Sequence, residues 1–390
     1  MRLKEVLHLS KIGFGGAAIA TRRISDSFLG SEWKSSTYFE DEAKLNTFST
    51  FSRRVSNKLD FEVGRVSKSQ VSLSIFKSSS GPLPDKIRDA EIVKNVHWFP
   101  NFPFDLLAGR VILTLHDMNQ FTGACHHSLG CGLFESECLK CPQVVTPFQR
   151  LVSKNQIDKL ERISDLPNFR VVSPSRWLAE EAKKSSILHN AEICVIPNPV
   201  PVQIFVPDKR SSLRAQLELE NAFVIGGVSN SIDPQKGGDF VLELYKAVKA
   251  RNPEKRISFI AFGGESKTVG MEDVHQFQTQ CPKEMAEMLS VCDVFVYASK
   301  ADNLPNILIE AQSVGVPIIA HDTGGIAETY INGKTGLTAE PNINSFRKHI
   351  EHLMINPETR ENFSEAAISY AKKYFSPERI GQKYIELYES

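Results

Sequence analysis

From about residue 222 the hydrophobic pattern alternates between two periods. AFVIGGVS, ISFIAFGG, DVFVYAS and VPIIA are short, nearly continuous apolar runs, the signature of strands buried on both faces. Between them, GDFVLELYKAVKAR places Phe240, Leu244, Ala247 and Val248 at helical spacing, and CPKEMAEMLSVC and LPNILIEAQSVG share that period. Strands and helices in strict alternation predict a parallel sheet covered on both sides. The first half has the same grammar less clearly. KEVLHLS reads as a strand, a helix follows from about Gly16 to Leu29, and NVHWFP, RVILTLH and FRVVSPS read as further strands. Residues 30–95 are rich in Ser, Lys and Arg and yield no firm element. Pro197, Pro199, Pro201 and Pro207 crowd one segment, which suits an interdomain linker. The expected division is therefore a Rossmann-like domain over 1–199, a second over 200–375, and a helix over 376–390 that docks on either one.

Length agrees: 390 residues with 41% hydrophobic and 24% charged is a two-domain globular composition. The 46 basic and 46 acidic residues cancel, which removes the usual electrostatic basis for nucleic-acid binding. The cancellation hides a split, +5 over residues 1–200 and −5 over 201–390. The basic excess lies in residues 1–77, with 13 basic and 8 acidic side chains, which either meet an anionic bilayer surface or are scattered and solvated. MRLKEVLHLSKIGFGG reads as a strand and a glycine turn rather than a signal peptide, and no apolar run approaches a membrane span, so a cytoplasmic location is expected.

Five loops carry candidate chemistry. After KEVLHLS come Gly13, Gly15 and Gly16 and then a helix, a turn that lets backbone N–H groups approach a phosphate; a plain tight turn is the alternative. After DVFVYAS comes Asp302-Asn303-Leu304-Pro305-Asn306-Ile307-Leu308-Ile309-Glu310, with Pro305 in the first helical turn and Glu310 about one and a half turns in. Such loops lie at the carboxyl ends of strands, where open α/β sheets bind ligands. Lys236 follows AFVIGGVS at the same end of the sheet, where it either offsets diphosphate charge or is a surface lysine, and Gly324-Gly325 repeats the glycine turn after VPIIA. Cys125, Cys131, Cys138 and Cys141 read C-x5-C-x6-C-x2-C within 17 residues, which suits a tetrahedral structural Zn²⁺ with His126 and His127 as competing ligands, or else reduced thiols packed in a loop.

The ordered series Gly15-Gly16, Leu115-His116-Asp117-Met118, Ser173-Pro174-Ser175-Arg176-Trp177-Leu178, Ile196-Pro197-Asn198, Lys236-Gly237, Asp302-x7-Glu310 and Asp322-Thr323-Gly324-Gly325-Ile326 resembles the bacterial family 4 (group 1) glycosyltransferases. The stretch from His97-Trp98 through His116-Asp117 and Phe121-Thr122-Gly123-Ala124-Cys125 to Cys141-Pro142 is similar to enzymes of exopolysaccharide clusters, the colanic-acid type included. The resemblance implies the GT-B fold, two Rossmann-like doubly wound domains facing across a cleft. It implies a retaining transferase that moves a sugar from a nucleoside diphosphate sugar to a growing, lipid-linked cell-surface polysaccharide or oligosaccharide without a required metal, and the sequence indeed holds no D-x-D triplet.

On the same analogy Glu310 holds the ribose hydroxyls, and Asp302 and His116 face the donor sugar. Lys236 and the backbone at Gly15, Gly16, Leu304, Pro305, Asn306, Ile307, Gly324 and Gly325 meet the diphosphate. Two positions depart from the family pattern: Asp302 replaces the usual first Glu, and Ser231 stands where an Arg is common, leaving Lys236 alone or paired with another base such as Arg176. A nucleotide-sugar epimerase of the same fold, or a catalytically silent binding subunit of a polysaccharide assembly complex, would carry much of the same series.

Overall fold

The computed structural model describes the chain except residues 1–3, 43–46, 70, 77–82, 99–103, 105–106, 165, 167–168, 208–209, 230–233, 264–270, 272 and 280, and the side chains of 47–53 and 234. Ser231 therefore lies outside the described residues. The chain divides into two compact units, Met1–Pro199 with Ile380–Ser390, and Val200–Arg379.

The first unit contains strands β1 (Glu5–Ser10), β2 (Lys34–Phe39), β3 (Val93–Val96), β4 (Val111–Thr114), β5 (Arg170–Ser173) and β6 (Glu192–Val195), in the spatial order β2-β1-β3-β4-β5-β6. The second contains β7 (Phe223–Val228), β8 (Ile257–Phe262), β9 (Val274–Phe277), β10 (Val294–Tyr297), β11 (Ile318–Ala320) and β12 (Gly336–Thr338), ordered β12-β11-β10-β7-β8-β9. Every pairing is parallel. Successive side chains point to opposite faces, so a strand covered on both sides is apolar at most positions. In β10, Val294 and Val296 enter one core while Phe295 and Tyr297 enter the other. In β4, Ile112 faces away from Val111 and Leu113 in the same way.

One face of the first sheet is completed from a distance along the chain. The helix Pro377–Glu389 spaces Ile380, Tyr384, Leu387 and Tyr388 on one stripe, and all four are buried against Val6, Ile24, Phe28, Trp33, Ile112 and Val172. Tyr388 stacks on Phe28 with ring centroids 5.7 Å apart, and its hydroxyl accepts a 2.9 Å bond from Asn95 Nδ2. A Cβ on Gly381 would come within 2.2 Å of the Ser27 carbonyl oxygen, so glycine permits the close approach. Among the described residues no helix is long and apolar enough to cross a membrane.

Candidate functional site

In the second unit the chain runs outward from β7 to β9 and returns on the other side of β7 with β10, so β7 and β10 flank the topological switch point. Lys236 ends a single 3-10 turn after β7, and Gly237 follows with φ +69°. A Cβ there would come within 2.2 Å of the Ala298 carbonyl oxygen, which is why glycine occupies it. The Gln235 carbonyl accepts bonds from Lys300 N at 2.7 Å and Ser299 Oγ at 3.0 Å, tying this turn to the loop after β10. Lys236 Nζ is thereby placed 2.6 Å from Asp302 Oδ2. The same oxygen accepts the Tyr297 hydroxyl at 2.5 Å, and Asp302 Oδ1 accepts its neighbour Asn303 N at 2.8 Å. Burial and the adjacent carboxylate push the Tyr297 phenol far above its usual range, so it stays a proton donor.

The turn after β11 braces this loop from the other side. Gly324 has φ +61° and no room for a Cβ, because the Asp302 carbonyl oxygen would lie 2.2 Å away. Gly325 donates its N–H to that carbonyl at 3.0 Å, so this amide is engaged within the protein. The helix Asn306–Ser313 begins one residue later than the sequence implies, with Pro305 as its N-cap. Proline contributes no amide. The helix has neither a side-chain cap nor an acidic residue in its first turn, which leaves the positive end of its dipole uncompensated from within the helix. Leu304 is buried in the core, Ile307 is partly buried against it, and Glu310 is 6% exposed, which sets aside a solvated carboxylate at that position.

In the first unit β1 and β3 flank the corresponding switch point. The glycine turn after β1 is held by Gly13, whose N–H donates to Asp41 Oδ1 at 2.8 Å and whose carbonyl accepts from Arg22 at 2.6 Å. Gly15 has φ +81°, and a Cβ on Gly15 or Gly16 would meet nothing within 4 Å. The helix Gly15–Asp26 that starts there also lacks a side-chain cap and first-turn acid. An exposed, uncapped helix start on bare backbone suits an anion.

His116, half-buried, follows β4, and its Nε2 lies 3.0 Å from His97 Nδ1. Asp117 Oδ2 accepts the Trp98 indole N–H at 3.0 Å and pairs with His126 Nδ1 at 2.6 Å, while His126 Nε2 lies 2.9 Å from Ser74 Oγ. Burial alone would raise the Asp117 carboxyl, but His126 beside it holds it well below the usual carboxylate range. Arg176 opens the helix Arg176–Lys184 of this unit. Tyr297, His8, His97, Trp98, Ser74 and the role of Asp117 were not legible as partners. The available signal was that His97, like His116, lies just past the carboxyl end of a short strand.

Cys125, Cys131, Cys138 and Cys141 are free thiols, and among the described residues no three His, Cys, Asp or Glu side chains are grouped as metal ligands. Burial pushes the Cys125 thiol up to about 12 and Cys138 to about 11, and raises Cys141 in the same direction. His126 is engaged by Asp117 and Ser74, and His127 stacks on Trp177. The segment that leads into the cysteine loop is held by buried Lys159, whose ammonium donates to the carbonyls of Asn119 and Thr122.

The family described as glycosyl transferases group 1 matches residues 209–370. The chain is 25% identical over 217 residues to the D-inositol 3-phosphate glycosyltransferase of Kribbella flavida, covering 50% of this chain and 51% of that one. It is 25% identical over 218 residues to the Vi polysaccharide biosynthesis protein VipC/TviE of Salmonella typhi, covering 52% and 36%. The chain thus spans about half the length, or less, of these curated relatives. In fold it is similar to Anabaena HepE, solved in complex with UDP and glucose, with a TM-score of 0.64 at 15% identity over 99% of both chains. Residues 209–370 thus match the family of group 1 glycosyl transferases, and the two doubly wound units are those of the GT-B fold.

Proposed function

We propose that this chain is a retaining glycosyltransferase that takes a sugar from a nucleoside diphosphate sugar and adds it to a growing, lipid-linked cell-surface polysaccharide. The observation that carries the reading is the Lys236–Asp302 pair across the switch point of the second unit, with Glu310 buried in the helix that follows. The nucleotide complex of HepE and the polysaccharide role in the name of VipC/TviE support it.

Breaking the anomeric C–O bond transfers its electron pair to the diphosphate and leaves positive charge on the sugar ring. A fixed ammonium at Lys236 and the amides that open the helix Asn306–Ser313 oppose the first charge without reorganising, which is where electrostatic catalysis gains most. In this reading no divalent ion is required, since Lys236 supplies the charge. Asp302 works chiefly through Lys236, because its carboxylate already accepts from Lys236 and Tyr297; a sugar hydroxyl would have to share it. Glu310 accepts hydrogen bonds from ribose hydroxyls, which are charge-assisted and strong when buried.

Incubation with a panel of nucleotide sugars and a lipid-linked acceptor should release nucleoside diphosphate, and Glu310→Ala should abolish the release. Unchanged turnover in that variant would overturn the site. Interconversion of donor sugars without net release would indicate an epimerase instead.

Contact with an anionic bilayer belongs to the same reading. The helix Thr47–Ser67 exposes Val55, Leu59 and Val66 along one stripe, beside Phe61 and the exposed basic residues Arg54, Lys58 and Arg65. Salt-sensitive sedimentation with anionic vesicles, reduced in Leu59→Asp, is expected; equal sedimentation with neutral vesicles would argue against it.

A further inference from the structure

Three histidines on neighbouring strands of the first sheet form a continuous chain of imidazoles. His8 lies in β1, His97 directly follows β3, and His116 lies two residues past β4; the three strands are neighbours in that order. His8 Nδ1 is 2.9 Å from His97 Nε2, and His97 Nδ1 is 3.0 Å from His116 Nε2. The ring centroids are 5.2 and 5.3 Å apart, with the same 33° tilt at each step. His8 and His97 are fully buried, and among the described residues the far nitrogen of His8, Nε2, has no hydrogen-bond partner.

Proton counting then leaves two arrangements. Burial lowers His8 to about 3 and His116 to about 4, and takes His97 in the same direction, so all three rings are neutral near pH 7. A neutral imidazole has one N–H and one lone pair, so each of the two bonds holds a single hydrogen and both must run the same way. If they run towards His8, its Nε2 carries a buried N–H with no acceptor. If they run towards His116, that nitrogen carries only a lone pair. Orphaned buried N–H groups are the rarer of the two kinds of unsatisfied group.

We propose that the closed end of this chain at His8 fixes the hydrogen of His116 on Nδ1, so that His116 meets its ligand as an N–H donor, with His97 and His8 as positioning residues. The identity of that ligand as the donor sugar rests on the function proposed above; the tautomer does not. An N–H at Nδ1 donates to a sugar oxygen and has no lone pair with which to accept the acceptor's proton. Among the described residues nothing at its inner end accepts a proton, so the chain does not act as a relay.

Protein labelled with ¹⁵N-histidine reads the tautomer directly through long-range ¹⁵N–¹H couplings, with His116→Gln used only to assign the signals. Wild type should show a protonated Nδ1 and an unprotonated Nε2 on His116 at pH 7. Protonated Nε2, as would follow if His8 donated to the Phe28 ring 5.9 Å away, overturns the proposal. His97→Phe keeps a ring but removes both bonds; it should mix the two His116 tautomers and lower kcat about tenfold, with less effect on the donor KM. An unchanged His116 tautomer in folded His97→Phe also overturns it. The wild-type spectrum decides the hydrogen's position even if that variant fails to fold. A protein that transfers no sugar yet shows the Nδ1–H form would sink the function and leave this inference standing.

Discussion

Lys236 Nζ lies 2.6 Å from Asp302 Oδ2, so a carboxylate on one side of the switch point holds an ammonium on the other. The two should act as one unit. Lys236→Ala and Asp302→Asn are each expected to lower kcat by roughly 10²- to 10³-fold, the usual cost of losing one preorganised donor. The double variant should lose little more than the worse single one. Multiplicative losses in steady-state assays would show that Asp302 acts independently of Lys236.

Glu310 is buried, and Gln has nearly the same shape, so Glu310→Gln isolates the charge. Calorimetric titration with nucleoside diphosphate should show affinity lower by roughly 10- to 100-fold, in line with charged hydrogen bonds of about 1.5–3 kcal/mol. Equal affinity would remove Glu310 from the nucleotide site.

Acid should destabilise the first unit. His8 and His116 titrate at about 3 and 4 when folded, against 6.5 when unfolded. Between those values the unfolded chain binds more protons, so their contribution is complete above pH 6.5 and is lost as pH falls through 4. Asp60 opposes them: burial raises it to about 6, so its contribution is present at low pH and is lost as pH rises through 6. With His97 shifted in the same direction as the other histidines, the histidine effect prevails. Thermal melts should show Tm falling from pH 7 to 5, with a shallower fall in His8→Phe.

Ile380, Tyr384, Leu387 and Tyr388 are all buried against the first sheet. At about 1.5–3 kcal/mol each, their burial is comparable to the ~5–15 kcal/mol that stabilises a whole domain. A chain ending at Ser376 should therefore fail to fold its first unit. Leu387→Ala should cost about 2–5 kcal/mol in denaturant titrations.

Turnover in excess chelator should equal turnover with Mg²⁺, because Lys236 takes the place of a divalent ion in the proposed reaction. Activity that disappears with chelator and returns with metal would reject that assignment.

The central strands were legible and the sheet edges were not. β4, β5, β7, β8, β10 and β11 stand out as apolar runs because each is covered on both faces, whereas β1 and β3 carry buried His8, Lys94 and Asn95 among their apolar residues. The four unrecognised strands, β2, β6, β9 and β12, are the edges of the two sheets. KSSTYF and EICV are largely unburied there and carry no apolar run to read. Lys236, Asp302 and Glu310 were visible because loop position follows from strand order. Their bonding was not: nothing in the spacing from Tyr297 to Asp302, or from His8 to His97, says that these side chains meet. The four-cysteine spacing likewise says nothing of what each thiol packs against.

The helix Pro377–Glu389 also fixes the order in which the protein can be finished. Val6, Phe28, Ile112 and Val172 leave the ribosome early, but the side chains that cover them are made only after the entire Val200–Arg379 unit. At about 5–20 residues per second, those ~180 residues take on the order of 10–40 s. For that interval an aromatic and aliphatic sheet face lacks its own cover, while the unit encoded later, being continuous in sequence, is complete first.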